Sequence, residues 1–207
     1  MDKSAQREET IGNKALPRLA GTTRLARSHC HLLSDPPFPF QATCYDDTIS
    51  VTPLEATEVS ADRLTLPSQP REAATANSVT VAACINHVVV VKNNKVASTL
   101  QVDYEPLCVA MMPDGSSVAV GGKNKSIHVY AVEGDALKEK KVVEASGSVE
   151  CLAYSPCGKF LGSGDGGRNV YVWDAADDYS RKMGRWKYHN SKVVSIAWTS
   201  DSKHIAT

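Results

Sequence analysis

The sequence lacks a net charge, a long apolar run and any Cys-x-x-Cys pair. Lys plus Arg and Asp plus Glu number 23 each among 207 residues, so no overall basic field favours a nucleic acid partner. No apolar run reaches 18 residues, and the longest, such as 88–91, have the length of a strand, so no transmembrane helix is predicted. The first residues also lack the apolar core of a secretory signal. We therefore expect neither a nucleic acid nor a membrane as partner.

The six cysteines do not form a metal-binding pattern. None lies in a Cys-x-x-Cys pair and no histidine stands at zinc-finger spacing, so no metal site is predicted. Cys84, Cys108 and Cys151 lie in or beside apolar runs and are expected to be small buried apolar side chains. Together these features indicate a reducing compartment, and we predict a cytoplasmic location.

A repeat of 43 residues is the strongest pattern that is present. Pro113 and Pro156 lie 43 residues apart, and so do Tyr130 and Trp173. Both units have short apolar strands, and the second ends in Trp173-Asp174. A period in the low forties with this ending is typical of a blade of a WD-type β-propeller. We predict an all-β fold of the WD40-type β-propeller class, an incomplete ring of about three to five four-stranded antiparallel blades.

The chain divides into an extension and a propeller segment. Residues 1–40 have no regular periodicity and carry three prolines within 36–39, so we expect them to be disordered or unrelated to the rest. Residues 41–207 are predicted to form a partial propeller. Its blades are expected at about 41–66 (partial), 69–101, 102–143, 145–187 and 188–207 (partial). These are too few for a seven-bladed ring and the last stops in mid-blade, so we expect a fragment; a strained small ring is the alternative.

Six residues are predicted to hold the blades together. His189 precedes an inner strand that ends at Trp198, where a standard WD blade has a histidine that donates within a buried Ser/Thr, Asp and Trp network. Its partners are expected beyond Thr207. Trp173, followed by Asp174, is expected to pack in the core. Gly115 and Gly158 each follow a proline by two residues, which predicts a tight hairpin turn with positive φ at the glycine.

Five lysines are the candidate partner contacts. Lys123 and Lys125 lie in a predicted turn at the rim of the ring. Lys138, Lys140 and Lys141 lie on a predicted outer strand. Lysines at such an edge protect it from pairing with other strands, and the alternative is contact with an acidic partner.

No enzyme is predicted. There is no Ser-His-Asp order and no paired catalytic carboxylates, so no catalytic residue is assigned. The glycine-rich stretch 162–167 lacks the Gly-Lys-Ser/Thr ending of a phosphate loop and lies between two predicted strands, so we predict a hairpin turn and no cofactor.

Eight sequence blocks resemble one family in order and spacing. They are YDDTISV (45–51), SQPR (68–71), VVVVK (88–92), YEP (104–106), GGK (121–123), SIHVY (126–130), EASG (144–147) and HNSKVVSIAW (189–198). They resemble the C-terminal propeller of the actin-interacting protein 1 family of WD-repeat proteins, over about residues 41–207.

The resemblance implies a function. That family is built of two seven-bladed propellers, binds actin filaments decorated with cofilin and promotes their disassembly. It therefore implies actin filaments and cofilin as partners and a cytoskeletal location. Two alternatives stay open: a WD-repeat scaffold in another cytoplasmic complex, and an enzyme, which needs convergent His, Asp or Glu at the central channel.

Overall fold

The regular elements of the described chain are all β-strands. The computed structural model describes residues 30–33, 40–53, 63–186 and 188–207. Sheet 1 contains β1 (Cys30–Leu33), β2 (Phe40–Tyr45), β3 (Thr48–Pro53) and β4 (Leu64–Thr65). Sheet 2 contains β5 (Pro70–Ala76), β6 (Val79–Cys84), β7 (His87–Lys92) and β8 (Lys95–Gln101).

Three further sheets follow along the chain. Sheet 3 contains β9 (Pro106–Met111), β10 (Ser117–Gly122), β11 (Ser126–Glu133) and β12 (Ala136–Glu144). Sheet 4 contains β13 (Val149–Tyr154), β14 (Phe160–Asp165), β15 (Val170–Asp174) and β16 (Ser180–Trp186). Sheet 5 contains only β17 (Ala197–Trp198) and β18 (Ile205–Ala206).

The strand order within the sheets is that of propeller blades. In each four-stranded sheet the strands lie in chain order and every neighbouring pair is antiparallel. The first strands of successive sheets contact one another: β1 contacts β5, β5 contacts β9, and β9 contacts β13. The first strand is therefore the inner strand and the fourth is the outer strand. The predicted all-β, partial β-propeller fold is confirmed.

Two boundaries differ from the sequence prediction. β1 pairs with β2, with Cys30 opposite Cys44 and Leu33 opposite Gln41, so the predicted boundary at residue 41 lies inside sheet 1. The rest of the predicted extension, 1–29 and 34–39, lies outside the described residues. The predicted inner strand that ends at Trp198 is reduced to Ala197–Trp198, since it pairs only with the two residues Ile205–Ala206 of β18.

The buried strands are those with a neighbouring sheet on both faces. The side chains of 88–91 on β7 are at most 1% exposed, which explains their unbroken apolar run. The outer strand β12 instead alternates exposed and half-buried residues. Two-residue turns with positive φ join several strands, as at Asn77 (48°) and Ser78 (65°), a conformation that Asn tolerates better than most residues.

Glycines on the second strand let successive sheets approach closely. Opposite Cys108 and Cys151 on the inner strands, the second strands carry Gly121 and Gly164. A Cβ on Gly164 would lie 2.6 Å from Val193 Cγ1 and 2.7 Å from Cys151 Sγ. The absence of a side chain therefore sets the spacing between sheets 4 and 5, and Gly121 does the same between sheets 3 and 4.

We predict that Gly164→Ala destabilises the fold by about 1–3 kcal/mol, because the added methyl group overpacks a site enclosed by the next sheet. Urea unfolding followed by circular dichroism measures this loss. Lys140→Ala on the outer strand is the control and is expected to change stability by less than about 0.5 kcal/mol. Equal stabilities for Gly164→Ala and the unchanged chain would contradict the close approach.

Candidate functional site

Trp173 lies at the centre of the polar network of sheet 4. Its side chain is buried, and its Nε1 donates to Ser163 Oγ at 2.8 Å. Asp174 is half-buried and accepts from Lys182 Nζ at 3.1 Å. This hydrogen bond, together with one from the backbone of Ala176, lowers the pKa of the Asp174 carboxyl. Trp173 thus joins two strands inside the sheet, whereas Asp174 anchors the turn that follows.

His189 has a partner within the described chain. Its Nε2 lies 2.8 Å from Thr207 Oγ1, so the expectation that its partners lie beyond Thr207 is wrong for this contact. The reason is that β17 and β18 fold back as a hairpin, which returns Thr207 towards the start of the unit. Trp198 belongs to a different contact: its Nε1 donates to Ala153 O at 3.0 Å on the inner strand of sheet 4.

Gly115 and Gly158 occupy equivalent hairpin turns. Their φ angles are 72° and 71°, in the left-handed region that glycine adopts without steric cost. Gly115 N donates to Met112 O and Gly158 N to Ser155 O, both at 2.8 Å. The two glycines therefore close the turn between the first and second strands of sheets 3 and 4.

Three of the five candidate lysines are in ion pairs. Lys123 Nζ lies 2.9 Å from Glu105, Lys138 Nζ lies 3.7 Å from Glu133, and Lys141 Nζ lies 2.5 Å from Asp178. The Lys123 hydrogen bond, with Arg71 nearby, lowers the pKa of the Glu105 carboxyl. Within the described residues, no ion pair involves Lys125 or Lys140.

The structure does not bring all five lysines into one patch. Lys125 immediately precedes Ser126, which is opposite Glu144 at one end of β12. Lys138 lies six residues from that end, or about 20 Å along an extended strand. The lysines therefore form two groups, one at the turn of 123–125 and one along β12.

A groove separates the outer parts of sheets 3 and 4. Its volume is about 690 Å³, and its lining includes Val142, Tyr179 and Arg181. The Lys141–Asp178 ion pair crosses it between the two sheets. The Arg181 guanidinium lies 5.0 Å from the ring centre of Tyr171, close enough for a cation–π interaction. A surface of mixed apolar and charged groups suits a polypeptide more than a small apolar ligand.

Sequence reasoning missed a polar cluster in sheet 3. His128 on β11 is 8% exposed and stacks on Tyr104, with ring centres 3.8 Å apart. The hydroxyls of Tyr104 and Tyr130 lie 2.9 Å apart, and Glu139 Oε2 lies 3.3 Å from His128 Nδ1. The signal was available, because His128 and Tyr130 occupy the repeat positions of Tyr171 and Trp173.

A second missed feature joins the inner strands of successive sheets. Glu72 on β5 accepts from Val109 N at 2.9 Å. Cys108 Sγ donates to Val149 O at 3.4 Å, and Cys151 Sγ donates to Val193 O at 3.5 Å. Burial raises the pKa of the Cys108 thiol well above its usual value, so the thiol keeps the proton that it donates. Glu72, Cys108 and Cys151 are register equivalents, opposite Ala83, Gly121 and Gly164.

The described residues show neither a metal centre nor a membrane-spanning helix. No group of three or more His, Cys, Asp or Glu side chains among them is placed to hold a metal ion. No helix in the described ranges is long and apolar enough to cross a membrane.

Residues 138–174 match the family described as WD domain, G-beta repeat. The matched stretch begins in β12 of sheet 3 and ends at Asp174, the last residue of β15 in sheet 4. One sequence repeat therefore combines the outer strand of one sheet with the first three strands of the next.

The chain is also similar to longer proteins. It is 42% identical over 165 residues to the 66 kDa stress protein of Physarum polycephalum. It is 35% identical over 170 residues to WD repeat-containing protein 1-A of Xenopus laevis, and 37% identical over 170 residues to WD repeat-containing protein 1 of Gallus gallus. These alignments cover 78% to 80% of this chain and 27% to 28% of the relatives. The chain thus spans about a quarter of the length of the curated relatives it matches.

We predict that Glu72→Ala lowers the free energy of unfolding by about 1 kcal/mol, because Val109 N–H loses its acceptor. Glu72→Gln keeps an acceptor oxygen at the same place and is the matched control. Chemical denaturation of both variants is the measurement. A loss of the same size in Glu72→Gln would show that the charge of Glu72, and not its hydrogen bond to β9, stabilises the fold.

Proposed function

We propose that this chain, which contains a WD repeat and is homologous to a segment of WD repeat-containing protein 1, is part of an interaction platform for cofilin-decorated actin filaments. The observation that carries the proposal is the 35% to 42% identity to these relatives over about four fifths of this chain. WD repeat-containing protein 1 is actin-interacting protein 1, the family that the eight sequence blocks resemble. As part of a longer protein, we expect this segment to assist cofilin in filament disassembly.

The described surface offers groups suited to a protein partner. Lys125 and Lys140 are exposed and have no carboxylate partner among the described residues, so their charges are available to acidic side chains of a partner. Lys123 and Lys141 are less available, because Glu105 and Asp178 already neutralise them. We therefore assign the principal partner contacts to Lys125 and Lys140, and minor ones to Lys123, Lys138 and Lys141.

Two other functions are less well supported. A WD-repeat scaffold for a different cytoplasmic complex fits the fold equally well, but it does not account for the identity to WD repeat-containing protein 1. An enzyme on this fold would need convergent His, Asp or Glu side chains at the central channel. The relatives named above do not carry enzyme names. We accordingly propose a non-enzymatic protein of the cytoplasm and the cytoskeleton.

Co-sedimentation with filamentous actin, with and without cofilin, tests the proposal. We expect the 207-residue chain to pellet with cofilin-decorated filaments and to remain largely in the supernatant without filaments. Binding should weaken as salt is raised, because exposed charge pairs are screened. Absence of pelleting with both bare and decorated filaments, for a chain that unfolds cooperatively, would favour a scaffold for other partners.

Charge reversal locates the contact. We predict that Lys125→Glu combined with Lys140→Glu weakens binding to decorated filaments roughly fivefold, since two exposed charge pairs at about 0.5 kcal/mol each are lost. Lys95→Glu, on the exposed outer strand of sheet 2, is the control and should bind as the unchanged chain does. Equal weakening by Lys95→Glu would mean that overall charge, and not these two positions, controls binding.

A further inference from the structure

His128 lies between two hydrogen-bonding groups that impose opposite demands on its ring nitrogens. Nδ1 lies 3.3 Å from a carboxylate oxygen of Glu139, which is an acceptor. Nε2 lies 3.2 Å from the amide nitrogen of Asn124, which is a donor. The arrangement is satisfied by one neutral form of the imidazole, with the proton on Nδ1 and the lone pair on Nε2.

The orientation of the Asn124 amide is fixed from its other end. Its Oδ1 accepts from Ser126 N at 3.2 Å, which is an Asx-type turn. Exchanging the oxygen and nitrogen of the amide would place Nδ2 against Ser126 N–H, so that two donors would face each other. The same exchange would place Asn124 Oδ1, a hydrogen-bond acceptor, opposite His128 Nε2. The amide can therefore serve either Ser126 N or a protonated Nε2.

The turn that Asn124 supports contains a strained residue. Lys125 has φ of 66°, a conformation that costs a residue with a Cβ roughly 1 kcal/mol or more. Its carbonyl accepts from Ala145 N at 2.8 Å, and the neighbouring Lys123 N donates to Glu105 O at 2.9 Å. The hydrogen bond from Ser126 N to Asn124 thus helps to hold Lys125 in its observed conformation.

We propose that protonation of His128 turns the Asn124 amide and opens the turn of 123–126. Among the described residues, the acceptor within reach of a proton on Nε2 is Oδ1 of Asn124, and the rotation that brings Oδ1 there releases Ser126 N. The positive charge formed on the ring is stabilised by Glu139, so that proton uptake and loss of the Asx turn occur together.

The other groups around His128 do not replace Asn124. Tyr104, from the connection between β8 and β9, covers one face of the ring, and Tyr130 lies farther along β11. Their hydroxyls are 2.9 Å apart and pair with each other. Val142, opposite on β12, is apolar. The charged neighbours are Glu139 on β12, Asp103 beside Tyr104, and Lys123 and Lys125 in the turn itself.

Nuclear magnetic resonance of the 207-residue chain tests the proposal without any partner. We expect the neutral imidazole of His128 to carry its proton on Nδ1. We also expect the Ser126 amide, after correction for the intrinsic pH dependence of exchange, to exchange about fivefold faster once His128 is protonated. A neutral form protonated on Nε2, or a corrected Ser126 exchange rate that does not change with pH, would overturn the proposal.

Two variants and one control separate the device from a general effect of pH. Asn124→Asp supplies an oxygen to both Ser126 N and Nε2, so Ser126 should stay protected throughout the titration. His128→Gln cannot titrate and should also abolish the change. His87→Gln, on β7 with its ring against Ile85 O, should leave the change intact. If the change persists in Asn124→Asp, the amide does not mediate it and the proposal fails, whether or not His128→Gln folds.

Discussion

The unpaired edge of each inner strand is the constraint on which the arrangement of the sheets depends. β9 and β13 are the first strands of their sheets, so one edge of each has no strand partner in the described part of the chain. A buried backbone group without a partner costs about as much as a lost hydrogen bond. Side chains of the preceding sheet meet this demand: Glu72 accepts from Val109 N, and Cys108 donates to Val149 O. The residues opposite them on the second strands are Ala or Gly, which leave room for the contact.

Two neighbouring sheets satisfy the same strand geometry with different polar networks. In sheet 4 the network is Trp173 with Ser163, close to the pattern of a standard WD blade. In sheet 3 the corresponding positions carry Tyr130 and His128, and Tyr104 completes the cluster from the preceding connection. A repeat can keep its backbone while it changes the groups that pair inside it, provided that every buried polar group has a partner.

The turn of 123–126 connects the structural network with the surface proposed for partner contact. Within the turn, Asn124 forms a hydrogen bond with the buried His128. Lys123 of the turn forms an ion pair with Glu105, which lies in the connection between β8 and β9. The same turn presents Lys125 to solvent. In the proposed function, a change in the buried cluster would therefore alter the position of a contact residue without altering the sheets. Loops of this kind carry function because the strands around them are rigid.

The sequence by itself determined the repeat, the strand class and the turn positions. Spacing of 43 residues, apolar runs of strand length and glycines two residues after a proline depend only on local geometry, and the strands and turns of sheets 2 to 4 follow them closely. Only the tertiary structure decided which lysines are paired, because Lys141 and Asp178 are brought together from different sheets. The same holds for β1, for the contact of His189 with Thr207 and for the approach of Tyr104 to His128. Each depends on the approach of residues distant in the chain, and a single sequence carries no direct signal of such distances.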